Sequence, residues 1–232
     1  MSTVRIVVWA ALGLLVLCGA VFALSEALHR DRTSKTVITA HVRRIVVRSD
    51  SGDVDVRAGL TANVVVQRRD SYLLGRPEVH ERIGNGQLAV EERCPGLSGA
   101  LRCRSDITID APPDVDVVIR TDAGDVDLRG LTGRADVRSD AGDIRADRID
   151  PVTITAIADA GDVRLDLFGQ PTRTVARSDA GDVRIIVPFG SYRVDARSGT
   201  GHTRIQGIIR DDLAPQSIMA QADAGDVTVR AR

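Results

Sequence analysis

The chain has 232 residues, a net charge of −1 and only 3% aromatic residues. The balanced charge gives no field that would draw nucleic acid or an acidic membrane surface, and the scarcity of rings argues against stacking grooves for sugars or single strands. Lys35 is the only lysine, an arginine bias that GC-rich codon usage explains more simply than nucleic-acid recognition does.

Residues 1–5 are expected to form a short cytoplasmic stub. Ile6 to Leu24, "IVVWAALGLLVLCGAVFAL", carries no charge, and as a helix it would span about 28 Å, close to the thickness of a bilayer core. Residues 6–24 therefore read as one transmembrane helix, a signal anchor. The competing reading is a cleaved signal peptide ending at "ALS" (23–25). Cys18 lies within the apolar run behind Leu17, which speaks against lipid attachment. Arg5 on one side and Arg30, Arg32 and Lys35 on the other leave the orientation undecided. Residues 25–40 read as a linker.

Residues 41–115 read as irregular early β coils plus a hairpin that turns at Asn85-Gly86 in "ERIGNGQLAV". Cys94 and Cys103 are the only cysteines beyond the apolar run, and strand-like text on both sides is expected to bring them together across a hairpin. A disulfide would close a ten-residue segment, contribute about 2–3 kcal/mol, and persist in an oxidising compartment. Two free buried thiols are the alternative; no C-x-x-C or nearby histidine supports zinc. The pair favours an extracytoplasmic domain in the cell envelope.

From residue 116 the text becomes regular. "TDAGDVDL" (121–128), "SDAGDIRA" (139–146), "ADAGDVRL" (158–165), "SDAGDVRI" (178–185) and "ADAGDVTV" (222–229) repeat one motif. An earlier copy is "SDSGDVDV" (49–56), and a worn one is "SGTGHTRI" (198–205). The glycines fall at Gly52, Gly124, Gly142, Gly161, Gly181, Gly201 and Gly225, a period near 20 that marks stacked structural units. Alternation in "VVIRTDA" points Val117, Ile119, Thr121 and Ala123 inward, yet Val126 and Leu128 show that the phase slips by one at Gly-Asp. A continuous strand cannot do that, whereas a corner can. Glycine supplies the unusual backbone angles and the neighbouring aspartate an Asx-type bond. The returns "RGLTGR", "DRIDP", "LFGQP" and "PFGS" are looser, and Phe168 and Phe189 occupy matching places in two of them. The expected fold is all-β: a β-solenoid, as a right-handed β-helix or β-roll, with coils of about 20 residues. Residues 116–232 are its regular part. Its last coil, ending at Arg232, reads as an open edge able to associate end to end.

These strings, in a coil of this length after an apolar N-terminal segment, resemble the bacterial membrane-anchored β-strand-repeat proteins called "putative adhesins". Ser49–Val56, Thr121–Leu128, Ser139–Ala146 and "ITIDAPPDVDVVIRTDAGDV" (107–126) carry the likeness, which covers residues 41–232. It implies the fold and an adhesin-like role, and it brings no catalytic residues. Gly199 and His202, in place of both aspartates, depart from the pattern.

Stacked carboxylates about 4.8 Å apart repel, by about 1 kcal/mol per pair even in water. Arg48, Arg120, Arg138, Arg177 and Arg197 before the corner, with Arg145, Arg164, Arg184 and Arg204 after it, are placed to neutralise them. Calcium is a second reading, with Asp122, Asp125, Asp140, Asp143, Asp159, Asp162, Asp179 and Asp182 as weak candidate ligands. Glycoside hydrolysis is a third, but near-identical corners do not make one acid and one base. No nucleophile elbow, zinc-protease motif or phosphate loop appears, and His29, His41, His80 and His202 are scattered. The sequence thus points to a single-pass, extracytoplasmic, non-catalytic protein without a cofactor. It would meet an envelope or surface ligand, protein or glycan, and no nucleic acid. A sensory envelope-stress role through a membrane partner is the alternative.

Overall fold

The computed structural model describes residues 30–73, 75–95 and 103–232. The expected stub and membrane helix, with Cys18 and His29, lie outside them. Among the described residues no helix is long and apolar enough to cross a membrane, and the regular elements are all strands.

In chain order these are β1 (Arg30–Ile38), β2 (Arg44–Ser49), β3 (Val54–Ala58), β4 (Val64–Tyr72), β5 (Glu78–Gly84), β6 (Gln87–Arg93) and β7 (Cys103–Ala111). The repeats follow: β8 (Asp116–Ala123), β9 (Val126–Arg129), β10 (Ala135–Ala141), β11 (Ile144–Ile149), β12 (Thr153–Ala160), β13 (Val163–Leu167), β14 (Arg173–Ala180) and β15 (Val183–Val187). The remainder is β16 (Ser191–Thr200), β17 (Thr203–Gln206), β18 (Ile209–Arg210), β19 (Ser217–Ala224) and β20 (Val227–Ala231).

Each motif copy sends one strand to each of two ten-stranded sheets. The front sheet runs β1-β4-β7-β3-β9-β11-β13-β15-β20-β17 and the back sheet β18-β16-β19-β14-β12-β10-β8-β2-β6-β5. Successive coils pair in parallel and in register, as in Val137 beside Ile119 and Ala156. The alternation read from sequence explains this. In β8, Val117, Ile119 and Thr121 face the core, while Ala123, expected inward, is exposed because the strand already bends into the corner; after the corner Val126 and Leu128 face the core. The core is one aliphatic cluster between the sheets, with Ile45, Ile119, Ile144, Ile154 and Leu165 almost fully buried. Each such side chain contributes about 1.5–3 kcal/mol. The β-solenoid-like architecture is therefore present, with two flat faces, a corner edge and a return edge.

Three expectations change. Residues 30–38, assigned to the linker 25–40, form β1, which pairs antiparallel with β4 along its whole length. The cysteines do not face each other across a hairpin: β6 and β7 belong to different sheets, and their disulfide sits where the other coils have their glycine corner. The hairpin itself is β5–β6, with Asn85 and Gly86 both at positive φ in its two-residue turn.

The third change concerns order. The last copy in sequence is not the end of the stack: β19/β20 lies between β14/β15 and β16/β17. The worn copy, 198–205, is the outer coil. Stepping over one slot and back needs chain, which accounts for the 24 residues from Gly201 to Gly225 where neighbouring gaps are 18 to 20.

Candidate functional site: the corner edge

The corner edge brings all the motif copies into two parallel rows. The second aspartate of each corner is structural. Its carboxylate accepts the backbone N–H of the equivalent residue in the next coil: Asp53 N–H to Asp106 at 3.1 Å, Asp125 to Asp53 at 3.0 Å, and Asp143 to Asp125 at 2.9 Å. The series continues with Asp162 to Asp143, Asp182 to Asp162, Asp226 to Asp182 and His202 to Asp226, each at 2.8 Å. Hydrogen bonding to a carboxylate favours its ionised form. Burial raises the Asp125 pKa, but the Asp143 N–H and Arg145 outweigh it and leave a net lowering. The His202 N–H likewise lowers that of Asp226.

Beneath this row the glycines stack backbone on backbone. A Cβ on Gly142 would lie 2.1 Å from the Gly124 carbonyl oxygen, and one on Gly124 would lie 2.2 Å from that of Gly52. Both glycines have positive φ, +145° and +130°, so shape and backbone angle each demand glycine. Inward hydroxyls complete the column, with Ser178 and Ser198 donating to the Gly161 and Gly225 carbonyls at 2.8 and 2.7 Å.

The first aspartates, Asp50, Asp122, Asp140, Asp159, Asp179 and Asp223, form the outer row, and Gly199 stands in the terminal coil. Partial burial, then Asp50 and Asp140, raise the pKa of Asp122. The arginines relieve the rows unevenly. Arg145 bridges Asp125 and Asp143 at 3.0 and 2.5 Å, and Arg177 bridges Asp179 and Asp223 at 3.0 and 3.3 Å. Arg138 and Arg197 pair instead with Asp136 and Asp195 on their own strands. Among the described residues, no three of the eight calcium candidates converge within 4.8 Å; the group that does is Glu92, Cys94 and Cys103.

That group shows what sequence reading missed. Glu92 is buried and accepts from Ser49 Oγ at 2.9 Å, Asp50 N–H at 2.8 Å and Ser51 N–H at 3.1 Å. Desolvation raises its pKa above the ordinary carboxylate range. Its Oε1 lies 3.3 Å from Cys94 Sγ, and Cys94 is joined to Cys103 with their Cα atoms 5.9 Å apart. The glutamate thus meets the first motif corner from the neighbouring strand β6, where Ser49 and Glu92 are register partners. Nearby, fully buried Asp70 accepts from Ser105 Oγ at 2.8 Å and lies 2.8 Å from Arg68 Nε. Parity was the available signal: Leu88, Val90 and Glu92 alternate, as do Val64, Val66, Arg68 and Asp70.

Of the histidines, His202 lies 3.5 Å from Asp226 and is highly exposed; His41 and His80 do not join it. Phe168 and Phe189 are exposed on the return edge, with Arg232 5.2 Å above the Phe168 ring.

Two sheets of stacked, corner-linked coils define a β-solenoid-like repeat protein. The chain belongs to the Toastrack DUF4097 family, whose model matches residues 36–230. In fold it is similar to a "putative cell adhesion protein" from Clostridium sporogenes (15% identity, 88% of this chain and 100% of that one, TM-score 0.53). It is also similar to a "putative adhesin" from Bacteroides fragilis (11% identity, 87% and 97%, TM-score 0.51). The resemblance seen in the motif strings therefore holds at the level of family and fold. No curated protein is detectably similar to the chain.

Proposed function

We propose that this is a non-catalytic, membrane-anchored protein whose β domain is displayed outside the cytoplasm in an adhesin-like role. The observation that carries the reading is the aspartate ladder: the second aspartate of each corner holds an N–H of the next coil through one oxygen, in the same way from coil to coil. A repeated edge of this kind offers a long, regular contact surface rather than one reaction centre. The disulfide supports an oxidising compartment, the apolar run 6–24 supports an anchor, and the names of the two structural neighbours agree with adhesion.

The test is protease digestion of intact cells or spheroplasts carrying a C-terminally tagged chain, with thiol labelling of Cys94 and Cys103 and an attachment assay on a deletion strain. Loss of the tag, cysteines unreactive until reduced, and weaker attachment are expected. A protected tag with two free thiols would remove the reading.

A further inference from the structure

We propose that the worn coil is a self-recognition edge, through which a second copy of this chain pairs antiparallel, centred on Ala196 and Ile205. The outer coil leaves strand backbone open on both sheets. In the back sheet β18 covers only Ser191 and Tyr192, so Arg193–Gly199 face outward with no strand beyond them among the described residues. In the front sheet β17 is the last strand. Such an edge is a template for another strand. Its core row is also unfinished: Ala196 and Ile205 are half-buried, whereas their register mates Ala220 and Val229 are 1% and 0% exposed.

The residues on this edge are complementary to themselves. Antiparallel pairing about Ala196 keeps inward residues opposite inward ones, Val194 against Ser198. On the outer face it sets Asp195 opposite Arg197 of the second copy, twice by symmetry, and Arg193 opposite Gly199. A shift by one residue would put core against solvent. The same two-fold axis, normal to both sheets, has to serve the front sheet. Ala196 precedes Gly201 by five residues and Ile205 follows it by four, so the two centres lie at nearly the same height across the core. There Ile205 meets Ile205, and Arg204 meets Gln206. Among the motif copies only this one lacks the two aspartates, which would add negative charge beside the contact; Gly199 and His202 replace them.

The pairing has a consequence that rests on the anchored reading above. β1 begins at the corner edge, Arg30 lying opposite Tyr72 and Tyr72 opposite Cys103. Antiparallel union turns the second copy over, so the two Arg30 ends lie at opposite ends and opposite edges of the dimer. That geometry bridges two surfaces rather than lying in one.

The test is the mass of the full-length chain in detergent across a concentration series, comparing wild type, D195R and the double swap D195R/R197D. Both positions are exposed, 47% for Asp195 and 77% for Arg197, so folding is not at issue. Wild type should dimerise. D195R turns two cross-strand attractions into two repulsions and should weaken association by on the order of tenfold, and the double swap should restore it. A chain still monomeric at about 100 μM, a dimer equally stable in all three forms, or a swap no better than D195R would each overturn the proposal. Attachment and topology assays remain separate readouts, so the adhesin-like reading can stand or fall alone.

Discussion

The corners at 222–229 and 198–205 are neighbours in space, yet one keeps both aspartates and the other has neither. For the second aspartate the reason lies in the direction of the ladder. Each second aspartate accepts an N–H from the coil on one side, and the coil 198–205 has no neighbour there. It still donates, through the His202 N–H to Asp226, because donation needs only backbone. A residue that reads as a decayed repeat is therefore the residue of a coil with nothing further to hold. Identity at this position follows from place in the stack and not from place in the chain.

The strongest way to break the comparison is to attack what all the corners share. Gly142→Ala would put a Cβ 2.1 Å from the Gly124 carbonyl oxygen at φ +145°. Backbone cannot yield cheaply there, and a loss of more than about 4 kcal/mol is expected, read as failure to fold or a collapsed melting temperature. Gly84, with nothing within 4 Å of its would-be Cβ, is the control; Gly84→Ala should change stability by less than about 0.5 kcal/mol.

Glu92 sharpens the comparison from the other end. There the first motif corner meets a buried side chain from the neighbouring strand β6. Glu92→Ala leaves the Ser49 hydroxyl and the Asp50 and Ser51 N–H groups unsatisfied, at a cost of about 2–4 kcal/mol in denaturant unfolding. Glu92→Gln keeps an acceptor and removes the buried charge. Because the folded pKa of Glu92 is raised, its stabilising contribution is full below the unfolded value and lost as pH rises through the folded one. The glutamine variant escapes that loss, so its stability relative to wild type should improve as pH climbs from about 4, where unfolded glutamate ionises. A difference that is flat with pH would mean that folding does not raise the pKa of Glu92. Reduction of the adjacent disulfide should cost about 2–3 kcal/mol, from the ten-residue segment it closes.

The sequence made the unit legible because in-and-out alternation is a local property. The phase slip at Gly-Asp located each corner, and Asn85-Gly86 located the hairpin. It hid the order of the coils, since alternation says which face a residue takes and nothing about which strand lies beside it. Only the long Gly201–Gly225 gap hinted at the back-step. The cysteines were misplaced for the same reason: strand-like text on both sides of Cys94 and Cys103 does not say whether the two strands share a sheet. Arginine pairing was legible in part. Arg145 and Arg177 bridge adjacent coils, but Arg138 and Arg197 found nearer carboxylates two residues away on their own strands, where no new coil geometry is needed.

The smallest effects test the ladder itself. Asp162 accepts the Asp182 N–H at 2.8 Å within the stack. Asp162→Ala should cost about 1 kcal/mol, the net value of one hydrogen bond at a site that water can reach. His202→Ala should cost less than about 0.5 kcal/mol, because the backbone bond to Asp226 is kept and the imidazole beside that carboxylate is highly exposed. The decisive variant is His202→Asp, which restores the motif residue at the outer coil. If aspartate is intrinsically the better corner former, through its own local turn, this change should stabilise. If its value lies in holding the next coil, it should gain nothing in the monomer, because the chain has no further coil there to donate an N–H. A measured gain near that lost in Asp162→Ala would show that the corner is local after all, and the difference between the two neighbouring copies would then need another cause.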